Sequence, residues 1–552
     1  MNAAFIMLFG AAWLVFAYFW YGGKINKHVV RPNNDAPTPS NALNDGRDYV
    51  PTKTGVLFGH HFSSIAGAGP IIGPILAFAL FGWLPALIWI LVGTVFMGAV
   101  HDYTSLMASV RSKGVSIVEI AEKSVSRTAR NIFAIFVWVA LVLVQAVFGD
   151  LTAKTFAEKP EIVLPTLGLV AIALFFGYFV FRRNFNTIAG TVIALAGLGA
   201  LIYFGNRFPI AASYEFWLIF VFIYAFIAAT LPVWTLLQPR DYLSNFLLIG
   251  GVGFGFLGLM LLQPEINAPA FISFNSKSGP LFPILFITVA CGAVSGFHSL
   301  VSSGTSSKQL RTEADGKKIG YGAMLTEGGL ALLVIMIISS VLSWDGSAIG
   351  GVTGVGFHEL LGQSANIVFG TALGQVLVPL GIPLAIGTAF GVLMLNAFIL
   401  TTLDTTVRLN RYIVQETLGV SKGGIFKNPY ITAGTSVILA YTLCLGNGYQ
   451  ALWPVFGASN QLIAALALFV ATAYWFGHKG NKWYTLIPGV FMLIVTEAAL
   501  IYQLGWLYVP KGEWLLSVVS VVLMILGFVV AYEVYRKTSG VPSDAGPAEA
   551  GI

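Results

Sequence analysis

The chain has 552 residues, of which 57% are hydrophobic and only 10% charged, and its mean hydropathy is +0.80. Soluble domains carry about 25% charged residues, so this composition excludes an ordinary soluble protein and places the chain in a membrane. The formal charge of +6 is spread over many short loops with no dense basic run, which argues against nucleic acid as a partner and leaves the charge to set topology.

The first apolar run, 5–22, has no basic stretch before it and no clear cleavage site, and reads as a retained helix. Further runs occupy 55–82, 84–109, 131–149, 163–181, 187–205, 215–237, 243–262, 281–305, 319–343, 382–404, 430–445, 453–476, 485–504 and 514–535. Such runs suit helices crossing about 30 Å of hydrocarbon rather than the roughly ten-residue alternation of a barrel. The fold class is therefore an all-α integral membrane protein with about fifteen transmembrane helices. Residues 366–381 are apolar but short and Gly-rich: a re-entrant piece, or one of the extra spans that would raise the count to sixteen to eighteen. The two cysteines, Cys291 and Cys444, lie inside apolar runs and offer neither a disulfide framework nor a Cys-rich metal motif.

The run 55–82 contains no Lys, Arg, Asp or Glu, and its middle, Gly67-Ala68-Gly69-Pro70, cannot hold a clean helix. Pro70 lacks an N–H and disfavours the helical region for Gly69. Two half-helices meeting at an unwound patch are predicted, and at membrane depth such a patch must face protein or a wet cavity. This is the architecture of a transporter's binding site.

Runs beginning at 55, 84, 131, 163 and 187 are followed at similar spacing by runs beginning at 215, 243, 281, 319 and 382. Five is odd, so the second set enters from the opposite side, which predicts a 5+5 inverted-repeat transporter core with broken first and sixth core helices. The sixth is then 215–237, interrupted at Thr230-Leu231-Pro232. The resulting division is 1–54, an N-terminal helix and cytoplasmic loop; 55–206, the first repeat; 207–411, the second; 412–537, C-terminal accessory helices; and 538–552, a disordered tail. With the N-terminus outside and the C-terminus cytoplasmic, all of the 30 Lys and Arg except Lys154, Lys159, Arg207, Lys277 and Lys511 fall inside.

Ser295, Ser299, Ser302 and Ser306 recur at helical spacing in 281–305 and just beyond, which puts four hydroxyls on one face with His298, Ser303 and Thr305 nearby. That face either packs closely on a neighbour or walls a cavity opposite the break, and both can hold at once. His60 and His61 precede Ser63 and Ser64 beside the break, and an intramembrane histidine is a candidate proton carrier. Glu327, inside 319–343, is the other candidate. The substrate or ion site is expected among His60, His61, Ser63, Ser64, Gly67, Gly69, His298, Ser299, Ser302, Ser303 and Thr305. Arg240-Asp241 and Asp404-Arg408 are expected to pair locally or cap at cytoplasmic helix ends, where with Pro70 and Pro232 they are the residues placed to serve in gating. A metal held by His60, His61 and His298 lacks any supporting ligand spacing.

Four blocks, Gly59–Pro70 (GHHFSSIAGAGP), Gln238–Leu243 (QPRDYL), Ser295–Thr305 (SGFHSLVSSGT) and Thr401–Arg408 (TTLDTTVR), resemble the signature stretches of the carbon starvation protein A family. The resemblance runs from about residue 1 to 535. It implies a bacterial inner-membrane carrier that imports peptides or pyruvate during carbon limitation, related to the amino acid/polyamine/organocation superfamily and driven by proton symport. The expected partners are a small carboxylate-bearing substrate and the lipid bilayer, with no cofactor beyond the coupling proton. The absence of a Walker motif leaves an ion gradient as the energy source. Two rival readings are a membrane-embedded metalloenzyme using His60, His61 and His298, and a nutrient sensor that does not transport.

Overall fold

The structure is a computed structural model that describes residues 1–46, 49–232, 235–346, 356–418, 427–446 and 448–538. Arg47, Lys422 and the tail expected at 538–552, from 539 onward, lie outside these described residues. In hydrocarbon a helix satisfies its own backbone, and the apolar runs form helices accordingly. In chain order they are α1 (Ala3–Ile25), α2 (Thr54–Ile65), α3 (Gly69–Phe81), α4 (Trp83–Arg111), α5 (Ile117–Ser124), α6 (Arg127–Glu158), α7 (Pro160–Val180) and α8 (Thr187–Arg207). Next come α9 (Tyr214–Thr230), α10 (Leu237–Leu262), α11 (Leu281–Thr288), α12 (Gly296–Gly304), α13 (Glu313–Val341) and α14 (Ala365–Leu377). The chain then forms α15 (Leu384–Leu418), α16 (Pro429–Cys444), α17 (Tyr449–Gly477), α18 (Trp483–Tyr508) and α19 (Trp514–Thr538). Eleven spans among the described residues are long and apolar enough to cross a bilayer, and the bent pair α2–α3 makes a twelfth. The sequence count of about fifteen also included α9 and α16, at 17 and 16 residues short of a full crossing, and the divided run 281–305.

The predicted break in 55–82 is present: α2 and α3 meet at 42° across Ala66–Ala68. A second break lies where none was expected. The run 281–305 is not one helix but α11 and α12, separated by Val289–Ser295. That stretch is apolar and has no proline, so hydropathy alone reads through it. What holds it open is tertiary: Trp89 Nε1 donates to the Val289 carbonyl at 3.2 Å and Thr94 Oγ1 to the Gly292 carbonyl at 3.0 Å. By contrast, Pro232 does not interrupt a helix. α9 stops at Thr230, ahead of it, and the 26-residue α10 begins at Leu237, so Pro232 lies between two helices.

The two breaks cross against one another through residues without side chains. A Cβ added at Gly69 would lie 2.4 Å from Cys291 Sγ, one at Gly73 would lie 2.6 Å from the Thr288 carbonyl, and one at Gly292 would lie 3.3 Å from the Pro70 Cα. α14, the short run in question at 366–381, folds back on the start of α15 and covers only part of it. Gly370 faces Gly391 and Gly374 faces Gly387, and a Cβ on Gly391 or Gly387 would stand 2.9 Å from the opposing Cα. Glycines spaced by four on both helices let the backbones approach closely. Gly374→Val is therefore expected to destabilise the protein by about 1–3 kcal/mol through overpacking. Gly199→Ala, where nothing lies within 4 Å, should change stability by less than about 0.5 kcal/mol. Thermal unfolding of the two purified variants in detergent checks the contrast, and equal midpoints would sink it.

Candidate coupling site at the crossed breaks

Asp102 and His101 of α4, His298 of α12 and Glu327 of α13 are all fully buried. His298 Nδ1 lies 2.9 Å from Asp102 Oδ2, and His298 Nε2 lies 3.3 Å from Glu327 Oε2. The other oxygen of Asp102 is 2.7 Å from His101 Nδ1. The Ile65 carbonyl at the end of α2 accepts the Gly67 N–H at 2.8 Å. One imidazole thus has a carboxyl at each ring nitrogen, and three helices contribute one group each. The 3.3 Å approach of Glu327 to His298 is an ion-pair distance without a hydrogen bond, and both Glu327 oxygens, His298 Nε2, Ser302 Oγ and Thr402 Oγ1 have no hydrogen-bond partner among the described residues. Thr402 faces the break itself, since a Cβ on Gly67 would lie 2.7 Å from its Oγ1.

Isolated charge is costly in such a place, so the number of protons shared by these groups and the charge of anything bound beside them are linked. Adding one proton to the cluster raises its charge by one unit. An anion bound near the breaks offsets that change.

The sequence had named His298 and Glu327 separately, and the structure brings them together. It missed Asp102 and His101, although a His-Asp pair inside the apolar run 84–109 was a signal available to it. His61 is buried and its Nδ1 lies 2.7 Å from Ser306 Oγ, which ties α2 to the turn after α12. His60 is half-buried, and its carbonyl accepts the Ser64 hydroxyl at 2.8 Å. Ser63 donates to Asn245 Oδ1 at 3.2 Å.

The four-serine face is not formed as expected, because α12 covers only Gly296–Gly304. Ser295 is held by Asn460, Ser306 by His61, and only Ser299 and Ser302 remain helical neighbours. Ser303 Oγ donates to the Ser299 carbonyl at 2.6 Å and accepts the Ile117 N–H at 2.9 Å, while Thr305 bonds back to the Val301 carbonyl. His61 and His298 meet separate partners, and among the described residues no group of three His, Cys, Asp or Glu is arranged to hold a metal ion.

A second polar cluster joins α9, α10 and α15. Local pairing was expected; instead Arg240 reaches across to Asp404, with Nη1 on Oδ2 and Nη2 on Oδ1 at 3.2 Å. Its contact with Asp241, 3.1 Å, is the local part. Tyr224 OH receives Arg240 Nη1 at 2.8 Å and donates to Asp404 at 3.2 Å. Arg408 does not pair with Asp404; its Nη2 caps the Ala228 and Leu231 carbonyls at the end of α9, at 3.1 and 2.6 Å. The helical spacing of Asp404 and Arg408 suggested a pair, but the end of α9 offers Arg408 bare carbonyls and Arg240 leaves Asp404 no need of it.

The profile of the family described as Carbon starvation protein CstA matches residues 2–355 and 353–499. The pyruvate/proton symporter BtsT of Escherichia coli is 35% identical over 91% of this chain and 81% of its own. The peptide transporter CstA of Bacillus subtilis is 32% identical over 97% of both chains, and that of Campylobacter jejuni is 34% identical over 90% of this chain and 79% of its own. Among solved structures, a manganese transporter of Eremococcus coleocola superposes with a TM-score of 0.52 at 13% identity, covering 90% of this chain and 99% of that one. The fold is thus shared with a solved transporter.

Asp404→Asn would leave the buried Arg240 guanidinium without its main counter-charge. The expected loss of stability is about 3–5 kcal/mol. Equilibrium unfolding in detergent measures it, and a loss below about 1 kcal/mol would return the pair to the locally compensated kind.

Proposed function

This chain belongs to the carbon starvation protein CstA family and is a transporter rather than an enzyme, and from that premise we propose that it imports peptides or pyruvate by proton symport. The observation that carries the coupling mechanism is His298 placed between Asp102 and Glu327 where the two breaks cross. The names of the relatives support both substrate classes, and both carry a carboxylate. We assign that carboxylate to the Gly69 and Gly296 N–H groups, the first of α3 and α12, where the positive helix ends favour an anion, with Gly67, Ser299, Ser302 and Ser303 around it. At an effective dielectric of about 20, a proton's charge and an anion attract by roughly 4 kcal/mol at 4 Å and roughly 2 kcal/mol at 8 Å. Binding of the two is then mutually reinforcing, which is the requirement for symport.

In this reading His60 and His61 flank the relay, and His61 links it to the turn after α12. The 5+5 inverted core stands with its second broken helix at α11–α12, so that the halves are 54–262 and 281–477. In each half the broken pair and the next long helix, α2–α4 and α11–α13, are followed by α6 or α15, then by a short apolar helix, α9 or α16, and a long one, α10 or α17. The hairpin α7–α8 and the re-entrant α14 are insertions into this pattern. The N-terminus lies outside and the C-terminus in the cytoplasm of a bacterial inner membrane, as the basic residues demand. Arg240, Asp241, Asp404 and Arg408, with Pro70 and Pro232, act in gating.

The test is uptake of labelled pyruvate and labelled dialanine into proteoliposomes, with and without an imposed pH gradient. His298→Gln and Glu327→Gln are expected to abolish gradient-driven accumulation, by at least about 100-fold, while exchange at equal pH survives. If both variants accumulate substrate with the unaltered pH profile, the coupling proton belongs to His60 or His61, and the same substitutions there decide between them.

A further inference from the structure

A cavity of about 440 Å³ opens between the turn after α4, the helix α5 and the end of α17, and the residues lining it include Arg111, Ser112, Lys113, Lys123, Tyr474 and His478. Sites for small molecules run from about 300 to 1,000 Å³. The walls are fixed by bonds already made. Arg111 Nε and Nη2 hold the two oxygens of Glu313 at 3.0 and 2.8 Å, and Nη2 also reaches the Arg31 carbonyl at 2.9 Å. The turn passes through Lys113 in the left-handed region, at φ 63°, and is closed by the Gly114 N–H on the Ser109 carbonyl at 2.8 Å and by Tyr49 OH on the Lys113 carbonyl at 3.2 Å. On the α17 side, His478 Nδ1 donates to the Tyr474 carbonyl at 2.8 Å and its ring stacks on that of Tyr474, centroids 4.4 Å apart. Positive charge is left over. Arg111 is matched by Glu313, and the carboxylates of α5, Glu119 and Glu122, face Arg130 of α6 at 3.4 Å each. Lys113 and Lys123 are exposed and have no ion-pair partner among the described residues. The positive-inside bias accounts for lysines on this face, but not for two of them unmatched around one braced cavity.

We propose that this cavity binds a phosphate-bearing anion, and that the bound anion regulates transport from the cytoplasmic side. Two unmatched ammonium groups call for two negative charges. A phosphate monoester carries about 1.5 to 2 of them at neutral pH, with three acceptor oxygens, and lysine serves phosphate as a point charge. A single carboxylate, which is what the proposed substrates offer, supplies one. The anion sits between Lys123 of α5 and His478 at the end of α17, while the Ile117 N–H at the start of α5 bonds Ser303 Oγ of α12 at 2.9 Å. Occupancy therefore ties the second broken segment to α17 by way of α5, and movement of that segment is slowed. The cytoplasmic placement and the effect on transport rest on the topology and activity proposed above; the binding itself does not.

The experiment is calorimetric titration of the purified protein in phosphatidylcholine nanodiscs with pyrophosphate and with glycerol 3-phosphate, repeated in nanodiscs that also contain cardiolipin. Saturable binding is expected, and Lys113→Gln and Lys123→Gln should each weaken it by about 5- to 30-fold. Lys427→Gln removes an exposed lysine that does not line the cavity, and should leave the affinity unchanged. Absence of saturable binding in the phosphatidylcholine discs, no loss in the two cavity variants, or an equal loss in all three overturns the proposal. A titration weakened by cardiolipin identifies a lipid headgroup as the natural source of the phosphate, and an unaffected one identifies a free phosphate compound of the cytoplasm. With pyrophosphate on both sides of proteoliposomes, exchange of labelled pyruvate or dialanine should slow by at least about 5-fold, and should not slow in the Lys113→Gln, Lys123→Gln double variant. Binding without that slowing overturns the regulatory role. If the unaltered protein exchanges neither substrate, the transport reading has failed, and the calorimetry alone decides whether the site exists.

Discussion

Inside a bilayer an unwound stretch of backbone has no water to bond, so every N–H and C=O freed by a helix break has to be met by protein. Two such breaks cross in this molecule, and much of its sequence around them serves this requirement. Trp89 and Thr94 of α4 cap the carbonyls of Val289 and Gly292. Asn460 of α17 takes the Phe297 N–H, and the Gly67 N–H bonds the Ile65 carbonyl. Glycines at 67, 69, 73 and 292 remove the side chains that would hold the breaks apart. The titratable cluster exists where it does because the same crossing brings α4, α12 and α13 within reach of one imidazole.

The cluster differs in kind from the Arg240–Asp404 network. Arg240 has two carboxylates and a phenol around its terminal nitrogens, while its Nε has no hydrogen-bond partner among the described residues. Such a network resists change, since removing any member leaves a buried charge. Around His298 two carboxyls share one ring flanked by a second histidine, and both oxygens of Glu327 are without a hydrogen-bond partner among the described residues. Imidazole and carboxyl groups can exchange protons, whereas a guanidinium keeps its charge. In the proposed reading the coupling proton and the Arg240–Asp404 bridge belong to different buried charges, on different helices.

The fold class and most spans were legible because the membrane demands long apolar runs, and Gly69-Pro70 announces its break in covalent chemistry. The second break was not legible. Val-Ala-Cys-Gly-Ala-Val-Ser is compatible with a helix, and only Trp89, Thr94 and Asn460, remote in sequence, hold it open. The break was instead sought at 215–237, because Pro232 looks like an interruption there. The site was half legible: His298 and Glu327 could be named singly as charges out of place, but their meeting depends on helix rotation about each axis, which hydropathy does not report. Asp102 obeyed the same rule and passed unnoticed beside the apolar bulk of its run.

The bridge between Arg240 and Asp404 spans 164 residues of chain. A ribosome adding about 5–20 residues per second makes the second partner roughly 8–30 s after the first. For that interval α10 has to sit in or beside the insertion machinery with Asp241 as its nearest counter-charge, and α9 has to end without the Arg408 guanidinium that later covers its carbonyls. The middle of the protein is therefore threaded before it can be electrostatically complete, and α15 is the segment whose arrival locks the helices made before it into the lipid.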